Sequence, residues 1–320
     1  MKKKLLISTL VVILILSMAM AMMVGCKKTP NFGEQNLVGA EKPTNVETVA
    51  EVSSGMSAYE MLQAGIANYF NAEVAVSAYN GNVATKVAGI TINQLVESTK
   101  IRIGKGDATG NNANGAKYFA DNKSYSIAAN LYEKMVITPD EIKYKNAKKG
   151  KTGHKGSVWG DGWSVSEWNS VVYFDQVSEL ANDKNNDPTV LWMYDLQKDF
   201  VLEKGTTTPD LKDGVWSFTL NFDPIKSTAN YIETMRAQLE VNAGMGVENL
   251  TFEQLEIKVE MWDNGMIKRI FITESYHMKM TDVPVIKSLN SSITLNSDTQ
   301  YAYAETENFK YDDFVADFSK

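Results

Sequence analysis

The chain has 320 residues, a formal net charge of −7, one cysteine and two histidines. Its acidic balance lacks the basic footprint of a general nucleic-acid binder, and two histidines cannot build a multi-histidine metal site. A lone cysteine leaves no internal disulfide to make, and a chain this long buries a sizeable core without one.

The start reads Met1-Lys2-Lys3-Lys4, then an apolar run from Leu5 to Val24, then Gly25-Cys26-Lys27-Lys28. A basic start, an apolar stretch and a small residue before a cut are the parts of a secretory signal peptide. The cysteine after the small residue resembles the lipobox of bacterial lipoproteins. Val24 and Gly25 fit that box; Met23 stands where Leu is usual. The resemblance implies that residues 1–25 are a signal peptide. Cys26 would then carry a diacylglyceryl group and anchor the chain to the outer side of the cell membrane. The apolar run is also long enough to span a bilayer as an uncleaved helix. Either way the bulk of the chain lies outside the cytoplasm. Loss of Lys2, Lys3 and Lys4 would take the charge from −7 to about −10.

Residues 26–56 read as a lipidated cysteine and a flexible tether, rich in Lys, Pro, Asn, Glu and Ser and without a sustained apolar period. Residues 57–320 read as one folded domain. Ser57 and Glu60 have capping-box spacing, and Tyr59, Leu62, Ile66 and Tyr69 form a helical stripe, which predicts a helix from Ser57 to about Phe70. The period then becomes two over 72–79, with Asn80-Gly81 as a hairpin-type turn. Residues 99–103 alternate again. Two strands are expected over 123–131 and 133–145. From Val215 to Phe222, Trp216, Phe218, Leu220 and Phe222 share one strand face, and Asp223-Pro224 ends it. A second helix is expected from Ser227 to about Ala243, with Tyr231, Ile232, Met235 and Leu239 as its stripe.

A hairpin follows. Ile257, Val259 and Met261 share a face, Asp263-Asn264-Gly265 turns, and a long return strand runs from about Ile267 to Met280. On it Ile270, Ile272, Glu274, Tyr276, Met278 and Met280 face one way; Phe271, Thr273, Ser275, His277 and Lys279 face the other. A last strand spans roughly 291–304, and residues 309–318 are acidic and aromatic. The sum is an α+β fold: a large curved antiparallel sheet, half-barrel-like, covered by two or three helices.

Leader, tether, the N-terminal helix SAYEMLQAGIANYF and long hairpins such as IKVEMWDNGMIKRIFITESYHMKM together resemble the LolA/LppX-like bacterial lipoprotein superfamily. They also resemble the uncharacterised Gram-positive lipoproteins that share its half-barrel. The resemblance covers about residues 57–318. It implies a curved sheet with an apolar concave face, lidded by helices, that holds a lipid or a lipidated client. It carries over no catalytic residue, metal or cofactor.

Several side chains are candidates for contact with a ligand. Glu274 is a carboxylate on an otherwise apolar strand face. It is either a polar contact inside a cavity, or a strand-end or bulged residue, or the partner of Arg236 or Lys268. Tyr276 and Met278 flank it along the strand, and Trp216 and Phe218 lie on the other apolar strand. Methionines such as Met278, Met280, Met261 and Met235 suit a variable guest and an ordinary core equally. Trp159, Trp163 and Trp168 crowd a Gly- and Ser-rich stretch; they either plug one end of the core or bind glycan or protein from exposed loops. Lysines 143–155 make a solvated loop or an anionic-headgroup contact.

Three motif-like stretches fall short. Gly150-Lys151-Thr152 lacks the first glycine of a phosphate loop, since Lys145 holds that position. Asp183, Asn185 and Asp187 have calcium-loop spacing, but Pro188 and Tyr194 replace the required Gly and Glu. Gly162-Trp163-Ser164-Val165-Ser166 is one glycine short of a nucleophile elbow. His277 lies on the polar side of its strand. The sequence therefore favours a non-enzymatic, membrane-anchored binder of an apolar or amphiphilic molecule. The alternative is a surface module acting through the Trp159–Trp168 loops.

Overall fold

The computed structural model describes residue 37 and residues 41–106, 115–125, 129–138, 141–150, 163–164, 172–173, 194–229, 231–233, 236, 246–283, 287–306 and 309–318. Helix α1 (Ala58–Asn71) begins as its sequence dictates. Ser57 Oγ accepts from Glu60 N, and Glu60 Oε2 accepts from Ser57 N at 2.9 Å, a complete capping box. The Ser57 bonds, followed by those of Lys198, pull the Glu60 carboxyl below its ordinary value.

Strands β1 (Val74–Val87), β2 (Ile90–Ile103), β3 (Lys117–Tyr125), β4 (Ala129–Ile137) and β5 (Glu141–Gly150) form one antiparallel meander. The two-residue strands β6 (Trp163–Ser164) and β7 (Val172–Tyr173) pair with β5. A second meander holds the short β8 (Val201–Leu202) and β9 (Asp210–Lys212), then β10 (Val215–Phe222), β11 (Gly246–Trp262), β12 (Ile267–Val283) and β13 (Lys287–Ala302). β1 pairs with β13 along almost its whole length, so the meanders fuse into a 13-stranded antiparallel sheet of order β6-β5-β4-β3-β2-β1-β13-β12-β11-β10-β8. Among the described residues no pairing joins its two ends, so the sheet is open.

Two faces follow from the pleat. On the inner face α1 packs Met61, Leu62 and Tyr69 onto Phe218, Ile257, Val259, Met261 and Ile270. The approach is close. A Cβ at Gly65 would meet Met261 Cε at 2.5 Å, which glycine alone avoids. Helix α3 (Tyr311–Phe318) lies on the opposite face, where Phe314 stacks on Phe119 at 4.8 Å and packs with Val76, Ala78 and Ile101. The first part of β1, Val74–Ala78, is therefore covered on both sides, in keeping with its small and apolar residues, whereas Asn82 and Lys86 further along are exposed.

Several expectations need correction. Asn80-Gly81 is not a turn; β1 runs through it, and Ala88 and Gly89, both at positive φ, turn the hairpin instead. Gly81 is needed for a different reason. The Tyr79 ring lies across it, and a Cβ there would meet Tyr79 Oη at 2.5 Å. The stretch 123–145, expected as two strands, falls on three: β3 ends at Tyr125, β4 spans Ala129–Ile137 and β5 begins at Glu141. The second helix starts earlier, as α2 (Pro224–Ser227), with the Asp223 carboxylate capping Ile225 N and Lys226 N. Helical backbone recurs at 229, 231–233 and 236. Among the described residues only α1 and α3 are helices of eight residues or more, fewer than the expected covering, and they lie on opposite faces rather than one.

The stretch expected as a tether is held to the fold from 41 onward. Buried Asn68 accepts from Val49 N and Ala50 N through Oδ1 and donates to Ala50 O and Gly265 O through Nδ2. Asn264 donates to Pro43 O at 2.8 Å. Val46, Val52 and Met56 pack against the α1 core. Among the described residues no helix is long and apolar enough to cross a membrane. Cys26 lies outside them.

Candidate functional site

The alternation of β12 places Ile270, Ile272, Glu274, Tyr276, Met278 and Met280 on the inner face, all buried, as the sequence predicts. They divide into two clusters. Ile270 and Ile272 belong to the α1 core, with Trp216 and Phe218. Tyr276, Met278 and Met280 form a second cluster with Val83, Leu250, Phe252 and Ile293, against which Tyr231 and Ile232 pack. Glu274 sits between the two, 2% exposed, flanked across the ladder by Leu255 and Leu295.

The basic partners considered for Glu274 are engaged elsewhere. Arg236 faces Glu233 at 3.7 Å, and Lys268 faces Glu260 at 3.9 Å. Glu274 is neither at a strand end nor in a bulge; the register shifts of β12 against its neighbours lie elsewhere. Its partner is Tyr194, whose hydroxyl donates to Glu274 Oε2 at 2.6 Å. Burial lifts the carboxyl to about 7, against the smaller downward pull of the Tyr194 bond.

Tyrosines surround it. Burial first, then the Glu274 charge, pushes up the hydroxyls of Tyr79, Tyr194, Tyr231 and Tyr276. Their rings form an arc: Tyr194 meets Tyr231 edge-on at 6.3 Å, Tyr231 tilts on Phe252 at 5.6 Å, and Phe252 stacks on Tyr276 at 4.6 Å. Tyr194 is further fixed from both sides. Asp195 N donates to Ser227 O, and Tyr59 Oη on α1 donates to Leu196 O. A carboxyl of raised affinity for a proton, ringed by phenols at the junction of two apolar clusters, can exchange hydrogen bonds with a neutral polar group while apolar matter packs on either side.

The sequence-predicted residues fare unequally. Glu274, Tyr276 and Met278 come together. Trp216 and Phe218 lie under α1 in a filled core. Trp159 and Trp168, the side chain of Trp163, the side chains of lysines 143–155 and the 183–187 loop lie outside the described residues. His277 sits on the outer face, its Nδ1 3.1 Å from Glu253 Oε1. Among the described residues no three His, Cys, Asp or Glu side chains gather as a metal site requires. Tyr79, Tyr194, Tyr231 and Phe252 were not singled out as site residues, although the helical stripe already put Tyr231 on a buried face.

An open groove of about 670 Å³ lies at the far end of the same strands. Its walls include Lys86, Gly89, Asn249, His277, Lys279 and Ser292, with Met278 at its floor. Its lining is about half polar and half apolar, and it is not a space between the sheet and α1.

No family model matches the chain, and no curated protein matches it. Solved structures with some likeness include a DUF1329 family protein from Desulfovibrio piger, at 8% identity and a TM-score of 0.22, covering 80% of this chain and 97% of that one. Another is a putative outer membrane lipoprotein-sorting protein domain from Vibrio parahaemolyticus, at 8% identity and a TM-score of 0.22, covering 83% and 99%. The outer membrane protein OprG from Pseudomonas aeruginosa matches at 5% identity and a TM-score of 0.14, covering 73% and 97%. Likenesses this distant carry no argument about what this chain does.

Proposed function

We propose that this chain is a non-enzymatic envelope lipoprotein, anchored through Cys26, that binds an amphiphilic molecule on the inner face of its sheet. The observation that carries the reading is Glu274. A carboxyl held in an apolar face without a basic partner costs stability, and the fold keeps it in mid-strand with a ring of phenols. The site is Glu274, Tyr276 and Met278 with Tyr79, Tyr194 and Tyr231; Trp216 and Phe218 belong to the α1 core. Two acyl chains on Cys26 would add roughly 0.8 kcal/mol per buried CH₂ and hold the protein at the membrane.

The test is native mass spectrometry of the full chain, extracted from its membrane in a mild detergent. The expected result is a co-purifying amphiphile that Met278→Lys removes while the thermal transition persists, and a mature N-terminus carrying palmitate that Cys26→Ser abolishes. A wild-type chain that retains no amphiphile, and takes up none from a panel of lipids and fatty acids, refutes the binding role. Lipidation stands or falls separately on the palmitate.

A further inference from the structure

Beside the Glu274 site the inner face changes character. In the row that starts at Glu274, the ladder runs through Leu295 and Val83 to Gln94, about 14 Å away at the usual strand spacing. One row up, Ser297, Gly81, Val96 and Ser124 are in register; the next holds Thr299, Tyr79, Ser98 and Asn122. Leu295, Val83 and Val96 apart, these positions are small or neutral-polar where β10–β12 carry Phe, Ile and Val. Gln94 Nε2 donates to Ser124 Oγ at 2.6 Å, and Ser98 Oγ donates to Asn122 Oδ1 at 2.5 Å. The hydrogen-bonding capacity is not used up. Gln94 Oε1 and Thr299 Oγ1, on residues 3% and 0% exposed, have no partner. Such groups are normally satisfied, and a ligand is one means of doing so.

The charges on this face decide what kind of ligand. Arg102, 1% exposed, spends its guanidinium on Ala72 O, Gly104 O and Tyr69 O. Lys100 is already engaged. Among the described residues of this face the remaining charged group is Glu274. Among the described residues an anionic headgroup would meet a carboxylate and cations already engaged; an uncharged polyol would meet neutral donors and acceptors and a carboxyl that accepts hydroxyls. The Tyr79 ring, whose hydroxyl edge lies against Gly81, adds an aromatic surface of the kind that sugar C–H faces stack on.

Resting on the amphiphile reading above, we propose that the inner face of β13, β1, β2 and β3 takes the uncharged polyhydroxyl headgroup of a glycolipid-like ligand. The ligand's apolar tail lies against Tyr276, Met278 and Ile293. The full chain in phosphatidylcholine nanodiscs is titrated with dodecyl maltoside, dodecyl phosphate and dodecanol, with tyrosine and tryptophan fluorescence as the readout. The expected result is at least tenfold tighter binding of the maltoside than of the other two. Thr299→Val, which keeps the side-chain shape, and Gln94→Leu should each erase most of that preference without changing dodecanol binding or the circular dichroism melt. Equal binding of all three probes, a preference for phosphate, or a maltoside preference that survives both variants overturns the headgroup assignment and leaves amphiphile binding standing. Binding of none of the three sinks the amphiphile reading itself.

Discussion

The Tyr194 hydroxyl reaches Glu274 Oε2 across 2.6 Å and joins a connecting segment to the middle of a long strand. The same segment is tied to α1 through Tyr59 and to α2 through Ser227. The state of one carboxyl therefore bears on three elements.

Glu274 should make stability depend on pH. Its folded-state value is raised from 4.5 to about 7, so between those values the folded chain binds more protons than the unfolded one. Stability then falls as pH rises through that window and levels off above it. At 1.36 kcal/mol per unit, the contribution lost is on the order of 3 kcal/mol. Glu274→Gln keeps an acceptor for Tyr194 and cannot ionise. In urea melts it should match the wild type near pH 4.5 and exceed it near pH 8. Parallel curves across that range would refute the assignment.

Tyr194→Phe should act in the opposite sense. It removes the donor and leaves a buried carboxyl without its bond, at a cost of about 1–3 kcal/mol. Because the bond to Tyr194 lowers the Glu274 value, its loss should raise that value further. Carbon-detected NMR of labelled glutamate reads this directly. An unchanged titration midpoint counts against the contact.

Arg102 holds the C-terminal end of α1. One guanidinium collects Tyr69 O at 2.8 Å and Ala72 O at 2.9 Å, carbonyls at or beyond the last turn, and lies over the Tyr69 ring at 5.3 Å. Arg102→Met should cost about 2–4 kcal/mol from the loss of three charge-assisted bonds, to Tyr69 O, Ala72 O and Gly104 O. Arg102→Lys should recover only part of that, since an ammonium lacks the planar fork. Hydrogen exchange should quicken first at the end of α1; equal protection in the methionine variant would disprove the capping role.

Two glycines test where the first hairpin turns. Gly81→Ala forces a methyl into the Tyr79 ring and should cost about 1–3 kcal/mol by overpacking. Gly89→Ala meets open space but a φ of +83°, and should cost about 1 kcal/mol from backbone strain alone. If Gly89→Ala is neutral in thermal melts and Gly81→Ala is the only damaging change, the turn lies at Asn80-Gly81 instead.

Much of this arrangement was legible in the residues. The period-two runs at 215–222 and 267–280 assign the inner face correctly, and the capping box fixes the start of α1, because both depend on near neighbours. The Asp263-Asn264-Gly265 turn was legible for the same reason; Gly265 has a φ of +83°. Asn80-Gly81 misled because its local preference for a turn is overridden by pairing with two strands at once, Ser297–Asp298 on one side and Val96–Glu97 on the other. The arc of tyrosines was hidden because Tyr79, Tyr194, Tyr231 and Tyr276 come from four distant stretches, and only the folded sheet brings them to one carboxyl. Helix α3 was not predicted to cover the outer face, since an acidic, aromatic tail does not say which side of a sheet it will take.

The pairing of β1 with β13 also shapes how the chain must be made. The first long strand to be synthesised finds its neighbour only when nearly the last has emerged, so one margin of β1 stays bare through most of synthesis. A ribosome stalled before residue 287 would release a polypeptide with an open sticky seam. Quality control that grips this seam would be matched to the longest wait in the assembly of the molecule.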